Sequence, residues 1–421
     1  MKSCITKGFL MVALTCLMGF TFLNGDTSGD KSAFTLDQLI GLAEQNNLQI
    51  KVSELDKKIA VEEYKGLRSF ENPELEYSKG QGEPEEEAHE KKTIWGWSAK
   101  WSIPNPFYRY YFLKSKRGNI SEAGSLTDIE KNETIREVKT YFYKIELSSK
   151  LKSLWEEKSR ILEEIYNITK VKVELGESKE IDSLRASMEV QKNIAKGFSM
   201  DKTISTERHA LRELLDFKIP ANFTLSKEWL DEQAKESLTI GPLPFENTTI
   251  INNAPSVRLE ASRAEREKAN LSASRLSLIE SIDFFGEQGK ELDGKLWKVG
   301  VGISIPLFNW KKAEVREAKY LTEKATIQLN QAKKHLISEI LRISSEMQIL
   351  LKQIETFKTS ILEVGKQNLE ISQKLYKEGE IPMMVLLDAQ DSYFETIGNY
   401  YEAITEWYIL RAEYDALFGG N

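Results

Sequence analysis

Two periods organise the hydrophobic positions of this chain. From Trp95 to Ile103 every odd position is apolar or aromatic (Trp95, Trp97, Ala99, Trp101, Ile103), with Gly96, Ser98, Lys100 and Ser102 between them. That alternation is the period of a strand. It returns at Trp297, Val299, Val301, Ile303, Ile305 and Leu307, set against Lys298, Gly300, Gly302 and Ser304. Each run is about ten residues, the length a tilted strand needs to cross a bilayer. Partner strands are expected at Glu74–Lys79 and Ser281–Gln288, reached through the loops Gly80–Lys92 and Gly289–Lys295, so that two hairpins give four strands. Trp95, Trp97, Trp101 and Trp297, with Phe284 and Phe285, crowd these short segments as an interfacial girdle does in lipid. A half-buried soluble sheet shares the alternation but has no use for that crowding. Four strands cannot close a barrel, for which ~8 is the usual minimum, and open edges are not tolerated in hydrocarbon. A membrane barrel built from this chain has to be shared between copies.

The longer period belongs to helices. A seam runs from Ala318 through Leu336, Met347 and Phe357 to Leu375 in 16 steps of about 3.56 residues, between the straight-helix and coiled-coil spacings. No proline interrupts it, so one helix of roughly 100 Å is predicted from about Lys311 to Tyr376. A counterpart is predicted from about Gly118 to Leu175. Each ends at a glycine, Gly176 and Gly379, followed by a second helical stretch that returns in the opposite direction. Pro382, three residues past Gly379, suits the first turn of the returning helix.

These elements occur twice. Ser102-Ile103-Pro104 recurs 202 residues later as Ser304-Ile305-Pro306, Gly176 recurs 203 residues later as Gly379, and Asn46-Asn47 recurs as Asn252-Asn253. The chain therefore divides into a signal segment (1–25), a first repeat (26–216) with a strand hairpin at about 74–104, a linker (217–250) and a second repeat (251–421) with a strand hairpin at about 281–308. Pro104 and Pro306 mark the strand ends. The fold class is mostly α with a small membrane β part, in two repeats of long antiparallel helices plus a strand hairpin.

Composition narrows the chemistry. A charged fraction of 29% against 41% apolar, with a mean hydropathy of −0.42, excludes a bundle of membrane-spanning helices. A net charge of −7 offers nothing to nucleic acid, and the Lys114–Arg117 cluster is a short solvated run. Lys2 and Lys7, an apolar stretch from Phe9 to Leu23 and polar Asn24-Gly25-Asp26 have the layout of a secretory signal. Both cysteines, Cys4 and Cys16, fall inside it. The alternative for Cys16, a lipid attachment site, is opposed by the bulk of Thr15. His89, His209 and His335 are scattered and no phosphate loop of the Walker type occurs, so the chain has neither a metal constellation nor a nucleotide motif. Neither an enzyme nor a cofactor is expected. Glu83 and Glu85-Glu86-Glu87 belong to a solvated loop expected outside the cell.

Asn72-Pro73-Glu74-Leu75, Ser304-Ile305-Pro306-Leu307-Phe308-Asn309, and Tyr376-Lys377-Glu378-Gly379 followed by Leu386-Leu387-Asp388-Ala389-Gln390 resemble the TolC family of outer-membrane efflux proteins, over about Phe34 to Leu417. The resemblance implies a homotrimer with a shared 12-stranded barrel in outer-membrane lipid and a helical tunnel through the periplasm. It implies a passive exit duct for efflux or secretion, whose partners are a periplasmic adaptor and an inner-membrane pump. Adaptor contact would fall at the turns around Gly176, Gly379 and Pro382. It further implies a constriction held by Tyr376 and Asp388, with Asp182 in the related place of the first repeat. The family's second aspartate, three residues before Asp388, is Val385 here, which argues against a double acidic ring. The reading from a different class is a periplasmic coiled-coil adaptor or scaffold without a barrel, which leaves the Trp-rich strands unexplained.

Overall fold

The computed structural model describes residues 33–83, 91–225 and 248–419, together with Leu230, Gln233 and Leu238. The signal segment, both cysteines, His89, Glu85–Glu87 and most of the linker lie outside the described residues. The order of elements is α1 (Leu36–Asn46), α2 (Leu48–Arg68), β1 (Glu74–Gly82), β2 (Lys92–Pro104), α3 (Pro106–Glu174) and α4 (Glu180–Leu214). It continues with α5 (Thr248–Asn253), α6 (Pro255–Leu276), β3 (Ser281–Glu291), β4 (Gly294–Ile303), α7 (Lys312–Thr356), a π-helical turn (Phe357–Ile361), α8 (Leu362–Glu378) and α9 (Met383–Phe418). The protein is mostly helical with one small antiparallel sheet. Among the described residues no helix is long and apolar enough to cross a membrane.

The sheet has the order β1-β2-β3-β4, every pair antiparallel. Its two local hairpins are joined by β2–β3, where Ser102 stands opposite Asp283 and donates to its carboxylate at 2.7 Å. Lys100 reaches the same carboxylate at 3.1 Å. Opposed residues of an antiparallel pair share a face. Trp97, Trp101, Phe284, Trp297, Val299 and Val301 therefore lie on one face, and Lys100, Asp283, Phe285, Glu287 and Lys298 on the other. This corrects the grouping of Phe285 with the girdle, since its neighbour Phe284 holds that face. Among the described residues the outer edges of β1 and β4 have no partner strand.

Several boundaries differ from expectation, beginning with β1, which runs on to Gly82 and pairs there with Lys92 inside the expected loop Gly80–Lys92. The expected loop Gly289–Lys295 is only Leu292-Asp293, because β3 runs on to Glu291 and pairs with Gly294. Pro104 ends β2, but β4 stops at Ile303 and Pro306 falls three residues beyond it. The first long helix begins at Pro106 instead of Gly118, because Asn105 caps it from the Phe107 amide and the proline occupies the first turn.

At 69 residues α3 extends roughly 100 Å. Its middle packs against α1, α4 and α9 in a core of Leu39, Val138, Phe142, Ile145, Leu211 and Ala412. Buried Asn47 sets the break between α1 and α2. Its carboxamide oxygen accepts from the amides of Gln49 (2.9 Å) and Ile50 (3.1 Å), and its nitrogen donates to the Leu214 carbonyl at 3.1 Å. The second long helix runs without a break from Lys312 to Glu378 but is not regular throughout. The π-helical turn over Phe357–Ile361 divides α7 from α8, an accommodation of one extra residue that needs no proline or glycine to signal it.

Candidate functional site at the helical hairpin ends

Both long helices stop in the same way. Gly176 and Gly379 adopt φ of +77° and +81°, where a side chain is strained and glycine is not. The amide of Gly379 bonds the Tyr376 carbonyl (3.1 Å) and that of Glu380 the Leu375 carbonyl (2.9 Å). Gly176 to Val173 (3.0 Å) and Glu177 to Lys172 (2.8 Å) repeat the arrangement. Each is a Schellman motif, which satisfies the last carbonyls and reverses the chain. Pro382 precedes α9 as its N-cap, one position earlier than a first-turn proline. Replacing Gly379 by alanine is expected to cost about 1–2 kcal/mol by backbone strain alone, since the nearest atom to an added Cβ is the Lys172 ammonium at 3.9 Å. Thermal unfolding of the variant measures it.

The two hairpins are tied together just above these turns. Tyr376 on α8 is buried, and its hydroxyl lies 2.6 Å from Thr169 Oγ1 on α3. Thr169 already donates to the Ile165 carbonyl at 2.7 Å, so the tyrosine hydroxyl is the donor to Thr169. Burial pushes the Tyr376 phenol above its ordinary value, so that proton stays in place across the neutral range. Lys172 donates to the Tyr376 carbonyl at 2.7 Å and sits 4.7 Å from the centre of the ring. Leu162, Ile165, Leu369, Met383, Leu386 and Phe394 pack around the link.

A second tie lies further from the turns. Lys158 on α3 is almost wholly buried, pairs with exposed Asp391 on α9 and lies 4.8 Å from the centre of the Trp155 ring. Gln390, fully buried beside it, donates to the Lys158 carbonyl at 3.4 Å. Its Oε1 has no hydrogen-bond partner among the described residues. Thr169, Lys172, Lys158 and Asp391 were not singled out by sequence. Their partners are more than 200 residues away, beyond any local pattern.

The remaining candidates sit as follows. Asp182 caps α4, accepting from Ser178 Oγ at 3.0 Å and from the Lys179 amide at 3.3 Å. Asp388 is exposed in the second turn of α9. Trp95, Trp97, Trp101 and Trp297 lie on the sheet, far along the chain from the turns. The Trp97 and Tyr77 rings lie 4.6 Å apart with their planes tilted by 42°, and Trp101 Nε1 donates to the Glu71 carbonyl at 3.0 Å.

A family model described as outer membrane efflux protein matches residues 250–420. Nodulation protein T of Rhizobium leguminosarum bv. trifolii is 24% identical over 276 residues, which are 61% of this chain and 57% of that protein. The aligned region thus spans less than two thirds of that relative. A membrane protein from Pseudomonas aeruginosa has a solved structure similar over 92% of this chain and 90% of its own, with 14% identity and a TM-score of 0.80. The open state of the MtrE outer membrane channel of Neisseria gonorrhoeae is similar over 91% of this chain and 89% of its own, with 20% identity and a TM-score of 0.76. The fold described above is thus the fold of outer-membrane channels.

Proposed function

From the match of residues 250–420 to the outer membrane efflux protein model, we propose that this chain belongs to the TolC-like efflux family and is the passive exit duct of a tripartite efflux or secretion system. Three copies complete a 12-stranded barrel in the outer membrane, and the two internal repeats of each supply the helical wall of a periplasmic tunnel. A periplasmic adaptor meets the hairpin ends around Gly176, Gly379 and Pro382, and an inner-membrane pump supplies the energy. Tyr376, Asp388 and Asp182 form the constriction near those ends.

One observation carries the reading: the four-stranded sheet and its flanking helices are unfinished on both sides. β1 and β4 each have an open edge. Next to β1, α2 exposes Leu48, Val52, Leu55 and Ile59 at spacings of four, three and four, the rhythm of a coiled-coil seam. Next to β4, α7 exposes Tyr320, Ile327 and Leu341 at multiples of seven. Open strand edges and bare apolar seams are both costly alone. Placing β4 and α7 of one copy against β1 and α2 of the next satisfies both at once, and a head-to-tail contact of this kind closes into a ring.

The test is membrane fractionation of producing cells, followed by the native mass of the detergent-extracted complex from light scattering corrected for bound detergent. An outer-membrane species of three copies is expected. A periplasmic monomer or dimer overturns the duct and favours the scaffold. Leu55→Glu, which sets a charge in the α2 seam, is expected to shift most of the material from trimer to monomer.

A further inference from the structure

We infer that Phe285 is a cargo-contact residue inside the barrel, a flat aromatic station for planar organic cations on their way out. The inference rests on the duct reading for the shared barrel, and on the pairing register for its place within it.

The Trp-rich face of the sheet suits lipid, so the face carrying Lys100, Asp283, Glu287 and Lys298 turns to the lumen. Phe285 stands on that polar face, between Lys100 of β2 and Gly300 of β4. Its ring is laid along the wall. A Cβ built on Gly300 falls 2.4 Å from the ring's Cζ and 2.9 Å from each Cε, far inside any van der Waals separation. Only glycine at position 300 lets the ring lie down on β4. Nearly half of the residue is left exposed, so an apolar surface is held open on an otherwise polar wall.

The surrounding charges select the sign of what settles there. Lys100 is engaged by Asp283 at 3.1 Å and Lys298 by Glu287 at 3.4 Å. Glu74 and Glu76 of β1 share that face through their register opposite Lys100 and Ser98, as do Glu291 of β3 and Lys92 of β2, so the wall's carboxylates number five against three lysines. An aromatic face beside excess carboxylate attracts a planar cation through the ring quadrupole and through the field of the wall. Three copies set three such faces at one height in the pore.

The experiment reconstitutes the purified full chain in planar lipid bilayers and titrates single-channel current with ethidium, a planar aromatic cation. Wild type is expected to show saturable ethidium block. Phe285→Ala is expected to weaken it by about two- to five-fold, as the loss of an exposed cation–π contact does. Phe285→Tyr retains the block. Gly300→Val lifts the ring off the wall and lowers the conductance itself. Equal ethidium affinity for wild type and Phe285→Ala overturns the station and reduces the ring to packing over Gly300, while the channel reading stands. No channels from the wild-type chain overturns both.

Discussion

Tyr376→Ala is expected to be the most damaging single change near the hairpin ends, costing about 3–5 kcal/mol. The side chain is buried among Leu369, Met383, Leu386 and residues of α3, so truncation leaves a cavity, takes the ring from beside the Lys172 ammonium and removes the hydrogen bond to Thr169. Hydrogen exchange of the α3 and α8 amides next to the turns should accelerate first, since these depend most directly on the link. Tyr376→Phe separates the contributions. It keeps the packing and deletes only the donor to Thr169, a loss of about 1 kcal/mol. If the link holds the ends of the two hairpins in the resting arrangement, Tyr376→Phe raises the resting conductance of reconstituted channels despite its small effect on stability. A Tyr376→Phe channel with wild-type conductance would leave the tyrosine as a packing residue only.

Asp388→Ala is the second large expectation, and its effect is on permeation. The carboxylate is exposed on α9, so removing it leaves the fold intact. In a trimer three such carboxylates around a narrow pore repel one another and concentrate cations. Their removal is expected to raise open-channel conductance several-fold and to make cells leakier to bulky antibiotics. With Val385 in the place of the family's second aspartate, one substitution per chain removes the whole ring. Unchanged conductance together with unchanged antibiotic entry would reject a gating role for Asp388.

The elements that could be read from sequence are those whose signal is local. Gly176 and Gly379 announce the hairpin turns because a left-handed residue is needed at one position and glycine takes it at least cost. Trp95 through Ile103 declare a strand because the pleat sends alternate side chains to opposite faces. The π-helical turn left no such mark, since it adds one residue to a seam whose spacing still averages a helical value. Phe284 and Phe285, adjacent and both aromatic, could not be assigned to faces until the register with Trp101 and Lys100 was known. The inner polar ties follow the same rule. Tyr376 was singled out by its motif, but its partner Thr169 lies 207 residues away and no spacing links them.

The seam between β2 and β3 also sets the pace at which this molecule can mature. Ser102 and Asp283 meet across 181 residues, a span that includes the whole of α3, α4, α5 and α6. Each strand hairpin is local and forms quickly, but an isolated hairpin is marginally stable in water. The first has to persist, with its tryptophans exposed, until the second has been delivered and the intervening helices have brought the two side by side. Such long-range pairing is slow and open to aggregation. The helical body is therefore expected to acquire exchange protection well before the sheet does.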